Sequence, residues 1–198
     1  MARLRRYCPA GIPVHVIQRG NNRQDCFRES QDKAAYHQYL QKASNLHALD
    51  VHAWVFMSNH VHLLVTPENA SSVSKAMQSL GRQYVHYFNK KYSRTGTLWE
   101  GRFKSCLVQT EKYFMICQRY IELNPVRAGL APHPLAFHWS SYKANALGVE
   151  SELVTPHEVF LSLGRSATDR QSAYRALFGQ VIQPAQLELI RETVNSGL

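Results

Sequence analysis

The sequence predicts an α+β protein with a ferredoxin-like (RRM-like) βαββαβ antiparallel sheet, an added helix and a C-terminal helical appendage. Residues 12–20, IPVHVIQRG, alternate apolar and polar side chains and stop at Gly-Asn-Asn, as a strand followed by a turn does. Residues 50–67 hold two β-rich runs separated by two residues, the length of a hairpin turn. Apolar residues at helical spacing in residues 30–49 and 70–92 predict the two helices that alternate with these strands.

The remaining elements complete this order. The helix over residues 30–49 has Ser30 as its candidate N-cap. The stretch 96–110 reads as a turn that leads into a fourth strand, and residues 111–124 have the pattern of a further helix. We expect that helix to stop at Pro125, because proline lacks the backbone N–H that continues a helix. The sheet should carry helices on one face, with the last helix added to the unit.

The composition changes near residue 150, which predicts two parts: a main domain over residues 1–149 and a small helical appendage over residues 150–198. Within the appendage, Thr155, Pro156 and Glu158 resemble a capping box with proline at the first helical position. We therefore expect a helix to begin there.

The charge of the chain is strongly positive and unevenly spread. It carries 23 Lys and Arg against 14 Asp and Glu, a net charge of +9. Residues 150–198 hold 4 Arg and 6 acidic residues, so the net charge of +11 belongs to the first 149 residues. A polyanion is the simplest partner for such a surface, although a basic protein need not bind nucleic acid. The net charge of −2 argues against extensive DNA contact by the appendage.

Other classes of protein fit the sequence less well. No apolar run approaches the roughly 20 residues that span a bilayer, so we expect no membrane partner. Prolines and a glycine interrupt the N-terminal segment, which argues against a secretory signal and favours a cytoplasmic, nucleoid-associated protein. The four cysteines form no C-x-x-C pair, so we expect reduced thiols and no disulfide framework.

Two histidines in the stretch FMSNHVHLLVTP raise the question of function. His60 and His62 are two residues apart, so on a strand their side chains leave the same face of the sheet. Two neutral imidazoles that converge on one point suit a divalent metal ion. The same spacing also occurs in histidines with a purely structural role, so the motif alone leaves both interpretations open.

A tyrosine and an asparagine in the last predicted helix add to this pattern. Tyr120 and Asn124 are four residues apart, which places them on one helical face. If the Asn124 amide oxygen binds the metal ion, the Tyr120 hydroxyl lies beside the group that the metal polarises. Tyr113 on the same helix has Cys117 four residues on, a poor ligand for a hard cation. Tyr120 is therefore the preferred nucleophile.

Four separated segments resemble one known family. HVH, followed by a helix with a single tyrosine and a polar residue four positions on, is similar to the single-tyrosine HUH nucleases that transpose single-stranded DNA. The segments GIPVHVIQRGNNRQDCF, WVFMSNHVHLLVTP, GTLWEGRFKS and RYIELNPVRAGL resemble one branch of them, the REP-associated tyrosine transposases. The resemblance runs from about residue 10 to residue 143, and the segments occur in the same order.

This resemblance implies a mechanism and a partner. His60, His62 and Asn124 would hold Mg2+ or Mn2+, and Tyr120 would attack the scissile phosphate to form a 5′-phosphotyrosine link with a free 3′-hydroxyl. The expected activity is that of a transposase and endonuclease that joins as well as cuts single-stranded DNA. The expected partner is single-stranded DNA with hairpins of the REP type, whose exact sequence the chain does not reveal.

Basic and aromatic residues are mixed in residues 82–104, a composition that suits single-stranded DNA because bases stack on rings while cations follow the backbone. Within this stretch Trp99 is the candidate for stacking. Further arginines lie in or beside the segments that resemble the family. The candidate DNA-binding residues are Arg19, Arg23, Arg82, Lys90, Lys91, Arg94, Trp99, Arg102, Lys104, Arg119 and Arg127.

Two other functions remain open from sequence. The same sheet occurs in modules that only bind nucleic acid, so the protein could be a non-catalytic binder. A metal-dependent phosphoesterase with water as its nucleophile would also use the histidines but would not need Tyr120. The oligomeric state stays open between monomer and dimer. A monomer is favoured, because the tyrosine helix follows so soon after the fourth strand that it could serve its own subunit.

Overall fold

The structure is a computed structural model that describes the backbone of residues 6–196 and the side chains of residues 6–193. Its centre is a four-stranded sheet in the order β2-β3-β1-β4, and all three neighbouring pairs are antiparallel. This order confirms the predicted ferredoxin-like sheet. The strands are β1 (Val14–Arg19), β2 (Leu49–Phe56), β3 (His60–Pro67) and β4 (Lys104–Leu107).

Seven α-helices accompany the sheet in the described part of the chain. Three of them fall in the stretches predicted to be helical before residue 130, and the other four belong to the C-terminal region. The helices are α1 (Ser30–Leu46), α2 (Ser72–Lys91), α3 (Glu111–Arg127), α4 (Tyr142–Leu147), α5 (Glu158–Leu161), α6 (Ala167–Leu177) and α7 (Pro184–Ser196).

The two faces of the sheet are covered by different helices. Leu63 and Leu64 are neighbours on β3 with no exposed surface, and they belong to separate hydrophobic clusters on opposite faces. The first cluster includes Tyr36 of α1 and Leu80 of α2, while the second includes Phe114 of α3. Each such fully buried apolar side chain stabilises the fold by about 1.5 to 3 kcal/mol. The prediction of helices on one face is correct for α1 and α2, and the added helix α3 covers the other.

Helix α1 begins at Ser30, where the predicted helix begins, but the predicted cap of this helix and the predicted start of the helix near Thr155 were wrong. Helix α1 is capped by Glu29 rather than Ser30, and the Glu29 and Asp32 side chains accept hydrogen bonds from each other's backbone N–H in a capping box. Thr155 begins no helix, because its backbone N–H donates to the Val51 carbonyl at 2.8 Å beside the edge strand β2. The short helix α5 is capped by His157 instead.

Helix α3 continues through Pro125 to Arg127, so the prediction that it stops at Pro125 was also wrong. Pro125 lies in the last turn, where its missing N–H removes a single hydrogen bond to the preceding turn. The end of the helix is closed by the Ala128 N–H, which donates to the Asn124 carbonyl at 3.0 Å, and by the Leu130 N–H, which donates to the Pro125 carbonyl at 2.8 Å. Asn124 therefore lies inside the helix that carries Tyr120.

The C-terminal helices pack directly against the sheet domain. Ile190 of α7 is fully buried in the same cluster as Cys106 of β4 and Ile121 of α3. Tyr174 of α6 is also fully buried, in a third cluster with Tyr142 of α4. The helical character predicted for residues 150–198 is thus present, while the division of the chain at residue 149 stays a prediction.

The four cysteines are all buried and unpaired, as the sequence predicts. Along the described residues, no helix combines the length and the hydrophobicity needed to cross a membrane.

Candidate active site

A cavity of about 430 Å³ lies where β1, β3, α3 and α7 meet. All four residues that the sequence singled out for catalysis and metal binding line it, together with three arginines. The lining residues are Ile17, Arg19, His60, His62, Tyr120, Asn124, Arg127, Ala128, Ile190 and Arg191.

The strand pairing explains why the histidines reach this cavity. Strand β3 lies in the middle of the sheet, where His60 is opposite Arg19 and His62 is opposite Ile17 on β1. The two imidazole rings are 5.0 Å apart between centroids, with planes at 79°. The alternation of a strand therefore brings both side chains to the face that α3 covers.

Each of these imidazoles has its Nδ1 atom engaged by a neighbour. The Nδ1 of His60 lies 2.6 Å from the Oδ1 of Asn59, and the Nδ1 of His62 lies 2.9 Å from the Nε2 of His15. The opposite ring nitrogen, Nε2, is then the atom that each histidine can offer to a ligand, and in His60 it lies on the side of Asn124.

Burial keeps both histidines neutral near pH 7. It lowers the pKa of His60 to about 4, with a further lowering by the charge of Arg19 and an opposing contribution from a hydrogen bond with Asn124. The pKa of His62 is lowered well below its usual value, first by burial and then by the charges of His15, His60 and the nearby arginines. A neutral imidazole is the form that binds a metal ion.

Tyr120 points from α3 toward the histidine pair. Its side chain is 8% exposed, and its ring lies 5.7 Å from that of His62 with the planes at 81°. The guanidinium of Arg127, two turns further along α3, lies 4.8 Å from the centre of the Tyr120 ring. The phenol is therefore enclosed between the imidazoles and a cation.

Asn124 stands one helical turn after Tyr120, as the four-residue spacing predicts. Its Nδ2 donates to the Tyr120 carbonyl at 3.2 Å. This bond uses the nitrogen end of the amide and leaves the Oδ1 atom as the acceptor or ligand on the side of His60.

The site suits a divalent cation in its donor chemistry. Among the described residues, no group of three or more His, Cys, Asp or Glu side chains could hold a metal ion. A metal ion in this cavity would therefore need the Asn124 amide oxygen beside the two imidazole nitrogens. Apart from the hydrogen bond between His60 and Asn124, the contacts of His60, His62 and Asn124 leave one donor atom on each. The three residues therefore fit Mg2+ or Mn2+ completed by water or phosphate oxygens.

Seven of the eleven predicted DNA-binding residues lie in the cavity or on the exposed surface. Arg19 and Arg127 line the cavity itself. Five others lie on the surface with exposed side chains, as a phosphate contact requires, and these are Arg23, Arg82, Lys90, Arg102 and Lys104.

The expected role of Trp99 was wrong. Its side chain is only 6% exposed and packs in the core with ring centroids 6.1 Å from Tyr36 and 6.0 Å from Tyr84. The loop before β4 brings it there, because Trp99 forms a bridge with Gly20 beside β1. The indole therefore offers no surface for a base.

Three of the predicted cations are also occupied by protein groups. Arg119 is buried, and its guanidinium donates to the Gln180 carbonyl and lies over the Phe178 ring, so its expected phosphate contact was wrong. Lys91 forms ion pairs with Asp32 at 2.8 Å and with Glu29 at 2.7 Å. Arg94 is half-buried, donates to Gln24 at 3.3 Å and lies over the Phe88 ring. Lys91 and Arg94 thus stabilise the fold around α2.

Two residues of the site were missed by sequence reasoning. The alternation of β1 places His15 on the same strand face as Ile17, but its position beside His62 depends on the register between β1 and β3. Arg191 comes from the appendage, whose net negative charge argued against a role near DNA. No signal in the sequence places α7 at the cavity.

Comparisons with known proteins support the fold and identify the family. The family model for IS200-like transposases matches residues 10–124, more than half of the chain. No curated protein matches. A solved structure of a REP-associated tyrosine transposase bound to a REP hairpin shares the fold with a TM-score of 0.64, at 18% identity over 79% of this chain and 93% of that one. A candidate transposase from Deinococcus radiodurans is 20% identical over 62% of this chain and 96% of its own, with a TM-score of 0.41. The chain belongs to the IS200-like transposase family.

Proposed function

We propose that this transposase cuts and rejoins single-stranded DNA, with Tyr120 as the nucleophile and a Mg2+ or Mn2+ ion held by His60, His62 and Asn124. The observation that carries the proposal is that these four side chains line one cavity although they come from two distant parts of the chain. If Tyr120 served only to pack α3 against the sheet, its ring would not need to face a pair of neutral imidazoles.

The chemistry follows from the groups in the cavity. The Tyr120 hydroxyl loses its proton and attacks the phosphorus of the scissile phosphate, the P–O3′ bond breaks, and the 3′ oxygen leaves as a hydroxyl. The product is a 5′-phosphotyrosine, which a 3′-hydroxyl can later attack to rejoin a strand. The bound metal ion would polarise the phosphate and stabilise the charge that develops on its oxygens.

Arginines of the cavity supply positive charge for the same phosphate. Arg19, Arg127 and Arg191 line the cavity from β1, α3 and α7 respectively. Their charges offset that of the DNA backbone and favour the phosphate at the point where Tyr120 can reach it. Arg127 also contacts the Tyr120 ring, so it holds the nucleophile and the phosphate close together.

Hairpin-forming DNA of the REP type is the substrate we propose. Support comes from the solved transposase of the same fold that is bound to a REP hairpin. The exposed cations Arg23, Arg82 and Lys90 provide surface for such a polyanion.

The test uses hairpin-bearing single strands labelled at either the 5′ or the 3′ end, incubated with Mn2+ and separated on denaturing gels. We expect wild type to form a metal-dependent covalent adduct with the fragment that carries the 3′ label. Tyr120→Phe and His62→Ala should form none. Tyr113→Phe is the matched control, because Tyr113 lies on the same helix with its hydroxyl 3.0 Å from Thr193, away from the cavity lining.

Two outcomes would contradict the proposal. Cleavage that survives Tyr120→Phe would indicate a phosphoesterase with water as its nucleophile. Tight binding of hairpins without cleavage, with Mn2+ present and Tyr120 intact, would indicate a non-catalytic binder.

A further inference from the structure

A third histidine lies behind the candidate metal site. His15 on β1 has no exposed surface and is absent from the cavity lining. Its Nε2 is 2.9 Å from the Nδ1 of His62, and the two rings stack with centroids 5.1 Å apart and planes at 21°. Because His62 is opposite Ile17, His15 is its diagonal neighbour on the same face of the sheet.

This hydrogen bond limits how His62 can be protonated. A neutral imidazole carries one N–H and one bare nitrogen, so one of the two rings must donate and the other must accept. If His62 donates from Nδ1, its Nε2 is bare and can coordinate a metal ion. If His15 donates from Nε2, the proton of His62 lies on its own Nε2, where it blocks coordination.

We propose that His15 is a positioning residue that accepts the His62 Nδ1 proton and so holds the His62 ring with a bare Nε2 directed at the metal site. The inference rests on the proposed function, since it assigns a role to the group behind one of the proposed ligands. Ligating histidines in proteins almost always donate their second ring N–H to such a partner. Here the partner is another imidazole rather than a carboxylate or a carbonyl.

The environment of His15 argues against a role in folding alone. Its own Nδ1 is buried and has no hydrogen-bond partner among the described residues. A buried polar atom without a partner destabilises the folded state, so an apolar side chain at this position would avoid that cost. The cross-strand neighbours of His15 are Leu64 and Cys106, which an apolar residue would fit equally well. The histidine is therefore better explained by its contact with His62.

The first measurement is the affinity of the full chain for Mn2+, titrated by calorimetry. His15→Leu keeps the approximate volume but removes the acceptor, and we expect it to weaken Mn2+ binding by about 10- to 100-fold. His15→Gln places an amide oxygen within reach of the His62 Nδ1 and should restore binding to within a few-fold of wild type. His52→Leu is the matched control, because His52 is also buried in the sheet but bonds to Thr155 and Thr66 instead.

A second measurement reads the His62 ring directly. In long-range ¹H–¹⁵N spectra of the metal-free wild type, we expect the His62 proton on Nδ1, and in His15→Leu we expect that preference to be lost. A His62 proton found on Nε2 in wild type would overturn the inference. This readout also keeps the inference testable if His15→Leu folds poorly.

The controls separate this inference from the proposed function. If His62→Ala abolishes Mn2+ binding while a folded His15→Leu binds as wild type does, the metal site stands and the role of His15 is refuted. If wild type binds no Mn2+, or His62→Ala binds it equally well, the proposed metal site fails and the inference fails with it.

Discussion

A buried carboxylate on α3 provides the sharpest test of how the C-terminal helices are attached. Glu122 has no exposed surface and accepts three hydrogen bonds, from the Ser141 hydroxyl at 2.6 Å, the Asn145 amide at 2.8 Å and the Tyr174 hydroxyl at 2.8 Å. Burial raises the pKa of Glu122 from 4.5 to about 7, because the three hydrogen bonds offset only part of the desolvation.

The substitution Glu122→Gln turns this pKa into a measurable change of stability. The folded state binds the Glu122 proton more tightly than the unfolded chain, so the contribution of this group is present below pH 4.5 and is lost as the pH rises through about 7. The pKa of Glu122 in the folded state thus lies about 2.5 pH units above its ordinary value, which corresponds to about 3 kcal/mol of unfolding free energy. Glutamine has nearly the same shape and does not titrate. As the pH rises from 4.5 to 8, the unfolding free energy of Glu122→Gln should therefore increase by about 3 kcal/mol relative to that of wild type.

Urea unfolding of both proteins across this pH range measures the effect. The comparison uses the difference between Glu122→Gln and wild type at each pH, because the other titrating groups then cancel. A difference that stays flat from pH 4.5 to pH 8 would refute the reasoning, since it would mean that the three hydrogen bonds fully offset the burial of the charge.

Two further predictions concern a buried histidine and a pair of adjacent lysines. Burial lowers the pKa of His52 to about 4, so the unfolded chain takes up the proton first as the pH falls, and wild type should lose about 3 kcal/mol from this group between pH 7 and pH 4. His52→Gln should remove that loss in urea unfolding, and an unchanged pH dependence would contradict the assignment. Lys91→Ala should lower the thermal unfolding midpoint, because it leaves the buried carboxylate of Asp32 without its cation. The exposed neighbour Lys90 provides the comparison, because Lys90→Ala should leave that midpoint unchanged. It should instead reduce by about 0.7 the magnitude of the slope that relates the logarithm of the binding constant for single-stranded DNA to the logarithm of the salt concentration.

The parts of the fold that follow from local periodicity could be predicted from sequence. The two-residue alternation of β3 placed His60 and His62 on one face, and the helical spacing in α3 placed Tyr120 with Asn124. Both patterns depend on a single element, and the structure brings the two elements together at one cavity. The caps of helices were less predictable, because residue preference favours Ser30 as the cap of α1, whereas the contact with Asp32 makes Glu29 the cap.

Features that depend on two elements at once could not be predicted. The contact of His15 with His62 requires the register between β1 and β3, which one sequence does not contain. Trp99 has the composition of a DNA-stacking residue, but the bridge between its backbone and Gly20 turns the loop inward. In each case the residue type allowed two environments, and tertiary packing decided between them.

The arrangement of α3 explains why the candidate active site includes residues beyond the segment that the family model matches. Tyr120 and Asn124 point into the cavity, while Arg119 and Glu122 on the remaining sides of the helix bond to Gln180 and Tyr174 of the C-terminal region. Helix α7 of the same region also reaches the cavity. Its buried Ile190 anchors the helix, and the neighbouring Arg191 lines the cavity.

Helix α3, which carries Tyr120, is thus held in place by the same C-terminal region that supplies part of the cavity wall. A packed helix responds to a lost contact by shifting as a unit, so a change in the C-terminal helices would move Tyr120 relative to His62. The position of the proposed nucleophile therefore depends on residues well outside residues 10–124, although every proposed metal ligand lies within them.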